Sequence, residues 1–524
     1  VEGASFMSRR PNIVLILVDD MGWSDLGCYG GEIRTPNLDA VADAGTRWTQ
    51  FYNCARCCPT RASLLTGLYP HQAGIGFMDH GNKWNRQIYD GLDRPQYRGS
   101  LDKACPTVAE LLRTAGYQTF MSGKWHVGQR EPSEYPRARG FDRYYGILAG
   151  ACNYWRPQDW ARLLRDDEPL TDVPPDFYTT DAFSREAARF VDEADPQRPF
   201  FLYLAYNAPH WPLHAWPEDI HRYRGRYDAG WDALRDERFA RQKQLGLFDP
   251  DDRLSPRDPD SHPWSDEPDR PRMAHRMAVY AAMVDRMDQG VGRVLDALRR
   301  KDALDDTLIV FLSDNGACAE PYGADSPIPA GPPESDTGVL LPWANASNTP
   351  LRLFKHWTHE GGMRTPFIAS WPRRIAPGAI DRENFAHVKD LLPTFLDAAG
   401  AEYDPARFAG TSILPWLTGD GDRPHETLFM EHEGNRCVRD GRFKLVSFYN
   451  ERRTWGAGTG PRTGPWELYD IVADPTELHD LAPEHPHRVR DMAERYRDWA
   501  ERTGVVDWET AVRAGGLYDF REDR

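Results

Sequence analysis

Five short apolar runs constrain this chain more than any other feature. NIVLILV (Asn12–Val18), QTFMSG (118–123), PFFLYLAY (199–206), TLIVFLS (Thr307–Ser313) and PFIASW (366–371) are largely apolar at odd and even positions alike. Such strands are buried on both faces, which calls for a sheet covered by helices above and below. The intervening sequence supplies the helices. TVAELLRTAGY opens with a capping box, Thr107 with Glu110, carries Val108, Leu111 and Leu112 on one face, and stops at Gly116. A longer helix from about Met273 to Arg300 places Met277, Tyr280, Val284, Met287, Val291 and Leu295 on one stripe. Strands alternating with helices give an α/β fold with a large, mainly parallel central sheet sandwiched by helices.

After Gly419 the texture changes. GRFKLVSFY and WELYDIV read as strands of an antiparallel sheet, followed by a helix striped with Val489, Met492, Ala493, Tyr496 and Ala500. The division expected is an α/β domain over 7–419 and a smaller C-terminal α+β domain over 420–524. A chain of 524 residues is too long for one small domain. Two stretches interrupt the pattern. Residues 249–271, dense in proline and charge, read as a solvated excursion without a core. Residues 320–348 read as a long loop that either borders a site or decorates the surface. There are no internal repeats.

The formal charge of −16 argues against a general nucleic-acid or anionic-membrane binder, because long-range repulsion opposes both. An anionic substrate would need a locally basic pocket. Mean hydropathy is −0.67, and no apolar run reaches the roughly 18 residues a bilayer requires. VEGASF before Met7 reads as an appended segment, lacking the basic and apolar regions of a secretory signal. With Met7 as the start, a cytoplasmic location is expected. Eight cysteines are too few for a disulfide scaffold, and the scattered Cys28, Cys105, Cys152, Cys318 and Cys437 read as buried reduced thiols.

Chemistry is expected where strands end, because open α/β sheets collect ligands at their carboxyl edge. The first strand ends in Asp19 and Asp20, a later one in Asp314 and Asn315. Either pair alone reads equally as a turn or cap. Together they crowd carboxylates that need a counter-charge, and oxygen donors suit Ca²⁺, or Mg²⁺ in its place. GKWHVG adds Lys124 and His126; YNAPHWPLH adds His210 and His214. A single histidine after a strand is ordinarily structural, yet an edge that gathers a metal, lysines and histidines is suited to an oxyanion ester.

Cys54, Cys57 and Cys58 crowd one turn, NCARCCPTRASLLTG. Pro59 is acceptable in a first helical turn and residues 60–66 continue as a helix, so Cys57 sits at a helix N-terminus, where backbone N–H groups favour anions. The turn can be a thiolate nucleophile, a set of zinc ligands or a disulfide. Zinc lacks a distant CxxC partner, and a thiolate beside an oxygen-ligated hard cation is a poor chemical match.

CCPTR, continuing into LLTGLYPH, resembles the CxP[ST]R signature of the type I sulfatases of the alkaline phosphatase superfamily. PNIVLILVDDMGWSDLGCYGG, GYQTFMSGKWHVG, NAPHWP, VFLSDNG, NTPLRLFKHWTHEGGMRTPFIASWP and WELYDIVADPTELHDLA resemble further blocks in the family's order. The likeness spans nearly the whole chain except residues 249–271 and is strongest to bacterial arylsulfatases. It implies that Cys57 is oxidised to formylglycine by a formylglycine-generating enzyme, and that Asp19, Asp20, Asp314, Asn315 and the modified Cys57 hold Ca²⁺. Arg61 would stabilise the aldehyde hydrate, and Lys124 and Lys355 would grip sulfate. His126 would take a proton, and His210, helped by Lys355, would protonate the leaving alcohol. Thr60 departs from the commoner Ser, which bears on how efficiently the modifying enzyme acts. The activity implied is hydrolysis of small aryl or alkyl sulfates, since an acidic chain repels polyanionic polysaccharides. The rival readings are a phosphodiester or phosphonate monoester hydrolase of the same superfamily and a non-catalytic calcium-binding homologue. A homo-oligomer is compatible with either.

Overall fold

A computed structural model describes residues 10–79, 81, 83–419, 421, 427–449 and 464–516. Residues 1–9, with Met7 among them, and the outer ends of the expected domain bounds lie outside these.

The strand Asn12–Val18 is the spine of the molecule. It pairs in parallel with Phe200–Ala205 on one side and Thr307–Ser313 on the other, with Val14 opposite both Leu202 and Ile309. Gln118–Lys124 and then Arg143–Ile147 extend the sheet in parallel. On the far flank Arg364–Ser370 runs antiparallel to Thr307–Ser313 and to Thr46–Tyr52. The sheet is therefore mixed but mainly parallel through its centre, and it has eleven strands among the described residues.

Alternation along the spine divides the core. Val14, Ile16 and Val18 face a cluster that includes the helices Thr179–Glu193 and Arg270–Arg300. Ile13, Leu15 and Leu17 face the helices Cys57–Thr66, Val108–Thr114 and Leu391–Ala398. Each of these buried aliphatic side chains contributes about 1.5–3 kcal/mol, so the strand ends are held by packing on both faces. The expected capping box at Thr107 and Glu110 is present.

Thr427–His432, Asn435–Asp440, Phe443–Ser447 and Glu467–Asp470 form a separate antiparallel sheet. The helix Pro486–Thr503 covers it with Met492, Tyr496 and Trp499, the last stacked on Phe429 at 5.4 Å. Leu428, Met430, Val438 and Leu445 join the same apolar cluster as Trp48 and Leu392 of the main sheet side. Lys444, fully buried, donates to Glu360 and Glu477 at 2.8 Å each and pins this sheet beside the helix Glu360–Met363. No helix among the described residues is long and apolar enough to cross a membrane.

Several expectations need correction. Residues 249–271 are not simply solvated: Ser255, Asp258 and Ser261 are buried, and Trp264 packs edge-on against Trp231 at 4.6 Å. One aromatic residue and hydrogen bonds such as Arg235 to Ser255 give this proline-rich stretch its anchorage. The loop over 320–348 contains the helix Leu341–Ser347. Cys105 is half-buried, not buried like the other scattered cysteines, and no disulfide joins any of the cysteines.

Candidate active site

The site forms where the spine and its two parallel neighbours stop. The backbone of Asp19 donates to Ala208 O, and that of Asp314 to Val18 O, which stitches the strand ends together. Asp19, Asp20, Asp314 and Asn315 are all buried. Asp20 and His126 adopt left-handed backbone, with φ of 65° and 58°, as do Ala55, Leu353 and His356 nearby in sequence to Cys57 and Lys355. Non-glycine residues there cost about 1–2 kcal/mol each, a strain held in place by the surrounding packing.

The opening turn is a true helix N-terminus. The helix runs Cys57–Thr66, starting earlier than residue 60, with extended Arg56 as its cap and Gly67, left-handed, as its stop. Thr60 Oγ1 donates to Asp314 O at 2.7 Å and accepts from Cys54 N at 2.9 Å, so its hydroxyl locks the cysteine turn onto the strand end that carries Asp314. Arg61 lies fully buried along the floor. It donates to Asp314 Oδ2 at 2.7 and 3.1 Å and to Lys124 O at 3.1 Å.

Two lysines complete the floor. Lys124 Nζ donates to Asp19 Oδ2 at 2.5 Å, and Lys355 Nζ reaches Asp20 Oδ1 at 2.8 Å. Asn315 Nδ2 donates to Asp20 Oδ1 at 2.7 Å, and His210 Nε2 stands 3.5 Å from Asp20 Oδ2. All of the residues expected at the site are thus brought together except His214. That ring sits in the wall, Nδ1 accepting from Tyr154 N at 3.3 Å and Nε2 bonded to Ser335 O at 2.9 Å.

The electrostatics ask for a cation. Burial, and then repulsion from Asp19, push Asp314 up to about 7 even with Arg61 and Lys124 opposing. Burial raises Asp19 as well, although Lys124 opposes it. Asp19 Oδ1 and Asn315 Oδ1 are buried without any hydrogen-bond partner. Asp19, Asp20 and His210 bring ligand atoms within 4.8 Å of one another. Oxygen donors with open lone pairs beside buried carboxylates fit a hard divalent ion. The Cys57 thiol is held well below its ordinary range, through its contact with Cys58 and the charges of Lys124 and His126, with burial opposing. Burial brings His210 down to about 4, against the pull of Asp20.

Two carboxylates at the site carried no signal in the sequence. Asp79 faces His126, and Glu320 accepts from Arg56 at 2.8 Å and from Trp211 Nε1 at 3.1 Å. Each stands alone in a loop, where neither spacing nor periodicity marks it. A third, Glu433, lies on the hairpin between the first two strands of the small sheet, 3.1 Å from His356 Nδ1. Asn435 Oδ1 accepts from Tyr449 N, and its Nδ2 faces His356 Nε2 at 3.3 Å. That network ties the loop carrying Lys355 to the C-terminal sheet.

A floor of buried lysines, arginine and carboxylates, a helix N-terminus beside it and histidines around it suit the hydrolysis of a charged ester, as in the alkaline phosphatase superfamily. The chain matches the family model described as Sulfatase over residues 11–401, and that described as N-sulphoglucosamine sulphohydrolase, C-terminal, over 352–499. It belongs to the sulfatase family, as a type I enzyme hydrolysing sulfuric esters. It is similar to an uncharacterized sulfatase of Schizosaccharomyces pombe, 34% identical and covering 95% of both chains. It is also similar to an arylsulfatase of Klebsiella aerogenes, 33% identical over 78% of this chain and 90% of that one. In three dimensions it resembles the crystal structure of Ps i-CgsB in complex with k-i-k-neocarrahexaose. That likeness has a TM-score of 0.70 and 27% identity, and it covers 98% of this chain and 99% of the other.

Proposed function

We propose that this sulfatase hydrolyses small aryl or alkyl sulfate monoesters through a formylglycine at position 57. The observation that carries the reading is the convergence of two buried lysines, Lys124 and Lys355, on the carboxylates beside Cys57. Bound Ca²⁺, held by Asp19, Asp20, Asp314, Asn315 and residue 57, would supply the Lewis acidity that activates the nucleophile and neutralise the carboxylates. Lys124 and Lys355 are then free to hold sulfate oxygens.

One hydroxyl of the hydrated residue 57 passes its proton to a carboxylate of the floor and attacks sulfur as the S–O bond to the alcohol breaks. His210 gives the departing oxygen its proton. Burial keeps His210 neutral in the free site, and the anionic sulfate supplies the counter-charge that protonates it on binding. The second hydroxyl loses its proton to His126, its oxygen closes to a carbonyl, and the C–O bond to sulfate breaks with the electron pair leaving on sulfate. Water then restores the hydrate. Arg61, fixed on Asp314, holds the hydrate in place.

The small-alcohol reading rests on the rim. Trp211 stacks on Tyr322 at 3.7 Å, with Glu320 beside them, and the whole chain carries −16. The net charge of the chain repels polyanions at long range, and an aromatic mouth whose Glu320 is paired with Arg56 accepts a compact apolar alcohol. The similarity to an arylsulfatase agrees with this. One preparation is assayed against aryl sulfates, alkyl sulfates, sulfated oligosaccharides, phosphate diesters and phosphonate monoesters. Highest kcat/KM on small sulfates is expected. Preference for sulfated oligosaccharides would overturn the substrate reading, and preference for phosphorus esters would place the enzyme with the phosphorus-directed members of its superfamily.

A further inference from the structure

Asp79 is a buried carboxylate that the mechanism above does not use, and its surroundings are built to keep it ionised and still. It is 2% exposed. Gln129 Nε2 donates to Oδ2 at 2.6 Å and Gly81 N to Oδ1 at 3.0 Å, while Asn85 Nδ2 donates to its carbonyl at 2.8 Å. A Cβ on Gly81 would come 2.8 Å from Oδ1, so the loop closes tightly around the carboxylate. Among the described residues the basic side chain that faces it is His126, whose Nε2 lies 3.5 Å from Oδ1. His126 has nowhere to move. Its left-handed backbone, with φ of 58°, is hydrogen-bonded to Leu148 O, and its ring lies so close to Gly150 that a Cβ there would stand 2.4 Å from Nε2. Its other ring nitrogen is buried with no partner.

We propose that Asp79 is the positioning residue for the second half of the reaction. It holds the His126 ring against residue 57 and provides the negative charge that compensates the proton His126 receives when sulfate is expelled. This rests on the formylglycine reading. The proton leaves the hydroxyl of residue 57 for His126, the carbonyl forms, and sulfate departs with the electron pair of the broken C–O bond. Asp79 exchanges no atom. Its removal slows that step and leaves the first, in which His210 protonates the alcohol on the opposite side of the site, untouched.

The inference separates two steps that loss of activity alone would merge. Asp79→Asn is mixed with an activated aryl sulfate, so that sulfation is fast, and quenched before many turnovers. The variant is expected to release one alcohol per active site in a burst, then turn over about a hundredfold more slowly, the lower end of a general base's contribution. Mass spectrometry of the peptide around residue 57 should find it carrying one SO₃ group, which the wild type and His210→Ala do not accumulate. Asp79→Glu should recover part of the rate. If Asp79→Asn does not fold, Gln129→Ala, which frees the carboxylate, is read in the same way and should show a smaller accumulation. Slow turnover without a burst or retained SO₃ overturns the proposal, as does an unchanged rate. A thiol at residue 57 in the same spectra of active wild type would instead overturn the reading on which it rests.

Discussion

Replacing Asp314 by Asn asks whether the carboxylates at the strand ends are there for a cation or for Arg61. The rise of Asp314 from 3.8 to about 7 means that the metal-free fold holds a proton which the unfolded chain releases at far lower pH. Stability is lost as pH climbs between those values, and by pH 7 ionising this group costs about 4 kcal/mol. Asparagine escapes that cost and keeps a carbonyl oxygen for the Arg61 bond of 2.7 Å. In excess chelator at pH 7 the variant should therefore be at least as stable as the wild type, with a gain of up to about 4 kcal/mol, a figure in which the pull of Arg61 on the carboxylate is already contained. With Ca²⁺ at a hundredfold over its dissociation constant the gap narrows from the wild-type side. The wild type gains about 2.7 kcal/mol by linkage, and the variant gains little. Activity should fall by at least about a hundredfold, the rate equivalent of the several kcal/mol a lost Lewis acid costs. Urea unfolding with and without Ca²⁺, beside an aryl sulfate assay, measures all three. A variant about 3–5 kcal/mol less stable in chelator, with its Ca²⁺ response intact, would show that the carboxylate serves Arg61 and that the cation site is elsewhere.

Three further outcomes follow from the same contacts. His210→Ala should reduce turnover of alkyl sulfates far more than that of activated aryl sulfates, because a good leaving group needs little protonation; equal losses along a leaving-group series would assign His210 another role. His214, outside the site, is lowered by burial from 6.5 to about 4, so its contribution is complete above 6.5 and is lost as pH falls toward 4. The wild type should be about 2 kcal/mol less stable at pH 5 than at pH 7 from this group alone, and His214→Gln should flatten that part of the urea-midpoint profile. Thr60→Ala removes the hydroxyl bonded to Asp314 O and Cys54 N and should cost about 1–3 kcal/mol by the same titration; no loss would mean the turn is held from elsewhere.

The sequence exposes what packing dictates and hides what single contacts dictate. Asn12–Val18 and Thr307–Ser313 are legible to the residue, because a strand buried on both faces has no polar position to blur its ends. Arg364–Ser370 begins earlier than its apolar run suggests, since Arg364 and Thr365 are buried by hydrogen bonds to neighbouring elements. Thr46–Tyr52 carries Trp48, Phe51 and Tyr52 but no continuous apolar run. Its Arg47 and Gln50 are buried because they reach the carbonyls of Cys28 and Arg382, and no pattern in TRWTQFY announces those partners. At the site, the residues that end strands were readable because the carboxyl edge of a parallel sheet is where ligands gather. Asp79, Glu320 and Glu433 arrive from loops and a hairpin turn, and only the folded chain brings them to the histidines and to Arg56.

The nature of residue 57 is the most direct test. Active enzyme, digested and examined by mass spectrometry across residues 53–61, should carry an aldehyde at Cys57 in proportion to its specific activity, with Cys54 and Cys58 as thiols. Cys57→Ala should be folded and inactive. A fully active preparation with an intact Cys57 thiol would contradict the account, and the depressed thiol beside Lys124 and His126 would then have to act as the nucleophile itself.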